Sequence, residues 1–163
     1  MKNEKGFSLI ELLIVVAIIG IIAAIAIPNL IKSRQAANEA SAIGSVRTLG
    51  TAQATYQSTT GRGRDFCTSM AGLAATGGQG LIDDALASGS KSGYSFGMAG
   101  SAASTTAAAT FDTSAVPQAT GIFGTGNRSF YSNETYVVYQ NPNGTAITGG
   151  ATRVPGSPAV ALQ

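Results

Sequence analysis

Hydrophobic residues crowd the start of the chain and thin out after it. Met1 to Gly6 is short and polar, with Lys2 and Lys5 against Glu4. From Phe7 to Ile27 the chain is apolar except for Ser8 and Glu11. As a helix these residues rise roughly 30 Å, about one hydrocarbon thickness. The stretch is rich in Ile, Leu, Val and Ala all the way round and has no polar face for water, which predicts a membrane span. A secretory signal peptide is the rival, with an apolar stretch of about 7–15 residues and a small-residue cleavage site behind it. Ala24 and Ala26 give a weak version of such a site near Pro28. Glu11 argues against it. A carboxylate inside an apolar segment is costly, a disposable signal has no reason to carry one, and an intramembrane acid marks function and needs a partner.

Pro28 removes one backbone donor and predicts a kink or a loosened turn, with Gly20 two turns earlier. The helical pattern then resumes. Ala42, Val46, Leu49, Gln53 and Tyr56 recur at spacings of four and three, which predicts a stripe packed on a sheet. Lys32, Arg34, Glu39 and Arg47 fall on other faces, and Gly61 and Gly63 end the segment. If continuous, Phe7 to Thr59 is about 80 Å of helix, of which only the second half has a domain to cover it. Beyond it the pattern weakens. Met70 to Ala75 and Leu81 to Ala87 read as short helices. Tyr94 to Met98, Phe111 to Val116, Arg128 to Tyr131 and, best of all, Thr135 to Gln140 read as strands. Ser101 to Thr110 is a low-complexity loop or plain strand, and Asn141-Pro142-Asn143-Gly144 is a turn. The fold class is α+β: a long N-terminal helix on a small antiparallel sheet. The divisions are residues 1–6, a short leader; 7–28, the apolar helix; 29–61, its amphipathic continuation; 62–152, the globular part; and 153–163, a flexible tail.

Composition narrows the chemistry. There is no histidine among the 163 residues, which removes the commonest general base and metal ligand. A formal charge of +2 does not argue for a nucleic-acid partner. Cys67 is alone, so no intrachain disulfide forms, and it reads as a small buried hydrophobe. Asp83 and Asp84 are neighbours that diverge on a helix, a solvated pair rather than a catalytic dyad. Gly77-Gly78-Gln79-Gly80 has no following Lys-Ser or Lys-Thr and is not a phosphate loop. Asp112, Asn127, Asn133 and Glu134 carry oxygens that form a candidate calcium set if they meet near strand ends. Nothing in the chain points to an enzyme.

The string Lys5-Gly6-Phe7-Ser8-Leu9-Ile10-Glu11-Leu12 resembles the processing site of type IV prepilins and type II secretion pseudopilins, and the likeness extends to about Tyr56. The resemblance implies cleavage after Gly6 by a prepilin peptidase that also methylates the new amine on Phe7. It implies that Glu11 pairs with the terminal amine of a neighbouring subunit. The stretch from Gly20 to Pro28 becomes a weak point that loosens as helices pack into a filament. The implied partners are further copies of the chain, the peptidase and methyltransferase, and an inner-membrane assembly platform with its cytoplasmic ATPase. The implied location is the bacterial inner membrane, N-terminus inside, and then a surface or periplasmic filament. Two functions fit: a type IV pilus subunit serving adhesion, motility or DNA uptake, or a major pseudopilin that pushes secreted proteins outward. Calcium binding is known of major pseudopilins, but no residue here matches that motif position by position. Many type IV pilins close a C-terminal loop with two cysteines, and the single Cys67 departs from that pattern.

Overall fold

The computed structural model describes residues 6–147, 155–156 and 158–162. The chain divides into two units, one ending at Arg34 and one starting at Gln35. Helix α1, Leu9–Ser58, contributes its first part to one and its second part to the other.

In the first unit the helix begins where a side chain can cap it. The backbone N–H of Ser8 donates to Oε2 of Glu11 at 2.9 Å, and Leu12 N–H closes the first turn on Ser8 O. Ser8 and Glu11 stand three apart, so the acid at the third helical position satisfies the N–H at the cap, one half of a capping box. The carboxylate also meets the positive end of the helix dipole. From Phe7 to Leu30 the large apolar side chains are exposed. α1 is the helix among the described residues that is long and apolar enough to cross a membrane, and none of that window is buried inside the chain. The helix assignment runs through Pro28 without a break. The leader expected at residues 1–6 lies outside the described residues but for Gly6.

In the second unit α1 buries Gln35, Glu39, Ala42, Val46, Leu49 and Gln53, a row at spacings of four and three. The expected stripe is there, with Tyr56 half-buried against the core. It starts two positions earlier than the apolar pattern shows. Glu39, expected on an outer face, is 7% exposed, because Arg128 and two backbone N–H groups occupy its carboxylate. Helix α2, Met70–Leu73, and helix α3, Asp84–Ala87, follow as single turns. The sheet is six-stranded, antiparallel and in chain order: β1 Ser90–Lys91, β2 Tyr94–Ser101, β3 Thr110–Pro117, β4 Ser129–Asn133, β5 Tyr139–Asn141 and β6 Val160–Ala161. Register pairs Phe96 with Ala115 and Ala115 with Phe130. Cross-strand partners share a face, and this face joins Val46, Leu49, Leu73, Leu86 and Tyr94 in one apolar core. Cys67 belongs to that core as a buried free thiol, the small-hydrophobe reading. All five residues of β4 are buried. On its other side the segment after β5 is fastened by Ser129 Oγ to Thr145 O and by Asn141 Nδ2 to Thr145 Oγ1.

Two further expectations differ from the structure. Thr135 to Gln140, the best strand by composition, is mostly not strand. The side-chain Oδ1 of Asn133 accepts from Thr135 N–H and Oγ1, Tyr136 N–H donates to Asn133 O, and Tyr136 sits at φ +59°. This Asx-type turn overrides the β propensity of Tyr136, Val137 and Val138, and pairing starts only at Tyr139. The segment 153–163, expected as a flexible tail, carries β6, paired with β5. Leu162 N–H reaches Val138 O at 2.7 Å and its side chain packs on the core. Residues 148–154, 157 and 163 lie outside the described residues.

Among the described residues, both apolar clusters of the second unit are built from residues after Arg34. Residues 29–163 alone are therefore expected to stay soluble and to unfold in one cooperative step with mixed helix and strand by circular dichroism. A disordered chain contradicts the division.

Candidate functional site

Four residues of the N-terminal unit carry the candidate chemistry. Gly6 and Phe7 precede α1 and are exposed, so the bond between them is open to a protease. A Cβ built on Gly6 meets nothing within 4 Å, and the same is true of Gly20. Within the described chain neither glycine is required by packing. Ser8 and Glu11 complete the group through the capping bond. The Ser-x-x-Glu spacing of that cap is visible in the sequence; the apolar run around it hides it, because the eye reads Glu11 only as an intruder in a span. At this site one carboxylate oxygen of Glu11 is taken up by its own helix end.

The second unit fixes its polar side chains by pairing them. Glu39 Oε1 accepts from the N–H groups of Asn127 and Arg128, and Oε2 from Arg128 Nε at 2.7 Å and Nη2 at 2.6 Å. Arg128 also donates from Nη1 to Gln140 Oε1. The hydroxyl of Tyr94 donates to Arg128 O, and burial, helped by the Glu39 charge, pushes its pKa well above the ordinary phenol value. These groups fasten helix to sheet and leave no reactive atom poised. Asp83 caps α3 through Leu86 N–H and pairs with Lys91 at 2.7 Å, whose hydrogen bond holds the carboxyl below its usual range. Asp84 turns instead to Thr76, accepting from its N–H and Oγ1. The adjacent acids serve two different loops.

Of the four residues of the calcium set, three lie together and Asn127 stands apart. Asp112 and Asn133 face each other across β3 and β4, and Glu134 follows Asn133. Asn127 lies beyond the opposite end of β4, six residues from Asn133 or about 20 Å of extended chain, and its N–H is turned to Glu39. Asp112 is engaged by the Tyr131 hydroxyl and Asn133 by Thr135. Among the described residues no group of three or more His, Cys, Asp or Glu is arranged to hold a metal.

Residues 1–27 match the family described as the prokaryotic N-terminal methylation motif. The chain is 50% identical over 64 residues to a type IV major pilin protein PilA of Myxococcus xanthus, covering 39% of this chain and 29% of that one. It is 64% identical over 39 residues to a type IV wide pilus major component PilA4 of Thermus thermophilus, 24% of this chain and 30% of that one. It is 33% identical over 57 residues to a type II secretion system core protein G of Vibrio cholerae, 35% and 39% respectively. No solved structure gives a significant match. The matched part spans about a third of the length of these relatives. The likeness to type IV pilins and to a type II secretion core protein is thus carried by the N-terminal part of the chain, which holds the methylation motif.

Proposed function

We propose that the chain is the structural subunit of a type IV pilus-like filament, held in the bacterial inner membrane by residues 7–28 and polymerised through the same helix. The observation that carries this is a lone carboxylate, Glu11, just after the open Gly6–Phe7 bond at the head of an exposed apolar helix. Such a helix requires lipid or other apolar helices around it, and a bundle of copies offers Glu11 the terminal amine of a neighbour. The stronger likeness to major pilins, 50% over 64 residues against 33% over 57 for the secretion protein, favours the pilus. The second reading, a major pseudopilin whose short filament pushes secreted proteins outward, rests on that latter likeness. The partners required are further copies, a prepilin peptidase and methyltransferase, and an inner-membrane assembly platform with its cytoplasmic ATPase. Imaging of sheared surface material, with the subunit identified in it by mass spectrometry, tests the proposal. Surface filaments carry it. Their absence together with a secretion defect in a deletion strain moves the function to the pseudopilus.

Processing is tested separately. The mature protein is expected to begin at Phe7 with a methylated amine. Gly6→Val, which the fold has room for, is expected to leave the full precursor in the membrane fraction. An intact leader on wild-type protein, or a cut near Ala26, defeats the assignment of Gly6 and Phe7. Gly20 and Pro28 are proposed as the place where α1 loosens during packing. Gly20 lowers helix propensity, and Pro28 removes one hydrogen bond and crowds the preceding turn.

A further inference from the structure

One loop of the second unit is held by side-chain hydrogen bonds and tipped with exposed apolar side chains. Gln35, 7% exposed, donates from Nε2 to the carbonyls of Gly121 at 2.8 Å and Gly124 at 3.1 Å. Asn38, one turn on, donates to Thr125 O at 2.9 Å. The base of the loop is closed by Thr125 N–H to Ala119 O at 2.8 Å and by the Thr125 hydroxyl at the same residue. Gly121 stands at φ +96°, and a Cβ on Gly124 would come within 2.5 Å of Ala119 O, so both shoulders need glycine. Between them Ile122 is 78% and Phe123 82% exposed, the two most exposed large hydrophobic side chains of the described second unit.

The place of attachment says what this tip meets. Gln35 is five residues beyond Leu30, the last large apolar residue of the exposed run, so the two are at most about 18 Å apart however the chain runs between them. Lys32 and Arg34 lie in that interval, and cations beside a span attract anionic headgroups. A two-residue tip is far smaller than the roughly 800 Å² per partner of a stable protein interface. A lipid surface asks for no such area or shape match. We propose that Ile122 and Phe123 form a second membrane contact, seated in the headgroup region of the bilayer beside the point where the helix emerges. The tip then fixes the outer domain against the membrane while the subunit is stored, and leaves the lipid when the subunit is withdrawn. This rests on the reading of residues 7–28 as a membrane span.

The chain contains no tryptophan, so one introduced indole reports alone. Full-length Phe123→Trp, Ile122→Trp, Thr60→Trp and Ile18→Trp are reconstituted into phosphatidylcholine/phosphatidylglycerol vesicles, with and without lipids brominated near the top of the acyl chains. Thr60 is exposed and follows α1, whose run from Gln35 to Ser58 is about 35 Å. Expected is a blue shift and quenching by brominated lipid for Phe123→Trp and Ile122→Trp, consistent with an interfacial depth of about 5–10 Å, with Thr60→Trp left as in water. Tips that behave like Thr60→Trp while Ile18→Trp is quenched overturn the proposal and leave the span intact. Loss of quenching at Ile18→Trp as well removes the span and the proposal with it. A blue shift that brominated lipid does not quench and that grows with the protein-to-lipid ratio assigns the tip to a second copy and overturns the lipid contact.

Discussion

Cells expressing Glu11→Ala are expected to make mature, membrane-bound subunit at normal levels and no filaments. The carboxylate sits at the head of α1 with one oxygen on Ser8 N–H. If anchoring were its only task, removing it would lower the cost of insertion and function would survive. If it also meets the methylated amine of a neighbour, its loss strands that amine in an apolar bundle. Removing one member of a buried pair costs about 3–5 kcal/mol, which weakens each subunit addition roughly 10²- to 10³-fold or more. The capping bond makes a second variant necessary, because alanine loses the cap as well, an effect of about 1 kcal/mol. Glu11→Gln keeps an acceptor for Ser8 N–H and discards the charge. Loss of filaments in both variants, counted by electron microscopy beside quantified subunit, assigns the residue to charge pairing. Filaments restored in Glu11→Gln assign it to the cap, and filaments in both remove Glu11 from assembly.

What the sequence made legible follows from the range of the forces involved. The apolar run, the lone acid and the stripe from Ala42 to Gln53 are local patterns with one period, and they appear in α1 as expected. β2, β3 and β4 lie where short alternating runs put them. The failures are places where a local side-chain bond or a distant partner decides. Asn133 bends the chain through its own side chain, and no propensity of Tyr136 or Val137 reports that. β6 exists because β5 and Val138 receive it, across a gap in sequence that a proline-bearing tail gives no cause to bridge. Glu39 and Gln35 look like solvent-facing polar residues on a helix. Their burial depends on loops 86 to 89 residues away, whose carbonyls and N–H groups need partners. The N-terminal methylation motif was readable because it is a linear pattern within residues 1–27. The apolar loop tip at Ile122 and Phe123 was not, since exposure is a property of the folded loop.

Gln53→Leu is expected to destabilise the outer unit strongly although it opens no cavity. Gln53 is fully buried in the middle of the core stripe, yet it is polar for a reason. Its Nε2 donates to Cys67 O at 2.8 Å and its Oε1 accepts from Cys67 N–H at 2.8 Å, so the amide stands in for a neighbouring strand. That pair fastens the chain after α1 back onto the helix, where Phe66 and Cys67 enter the two apolar clusters. Leucine has nearly the same volume and opens no cavity, but it leaves the N–H and C=O of Cys67 without partners in the core. Each such group costs about 1–3 kcal/mol, so the loss is on the order of 3 kcal/mol from a domain stability of about 5–15 kcal/mol. In urea unfolding of residues 29–163 the midpoint should fall by roughly 1–2 M. Gln53→Glu separates hydrogen bonding from shape. At neutral pH its carboxylate still accepts from Cys67 N–H but opposes Cys67 O. Burial disfavours the charge and raises the folded-state pKa of this glutamate above its unfolded value. Its stabilising protonated form is therefore present at low pH and lost as pH rises through the folded pKa. Relative to wild type, Gln53→Glu should be nearly as stable at acid pH, where the protonated carboxyl donates to Cys67 O, and clearly weaker at pH 7. A Gln53→Leu midpoint within error of wild type, or a Gln53→Glu deficit that does not change with pH, shows that the Cys67 pair does not hold this part of the core.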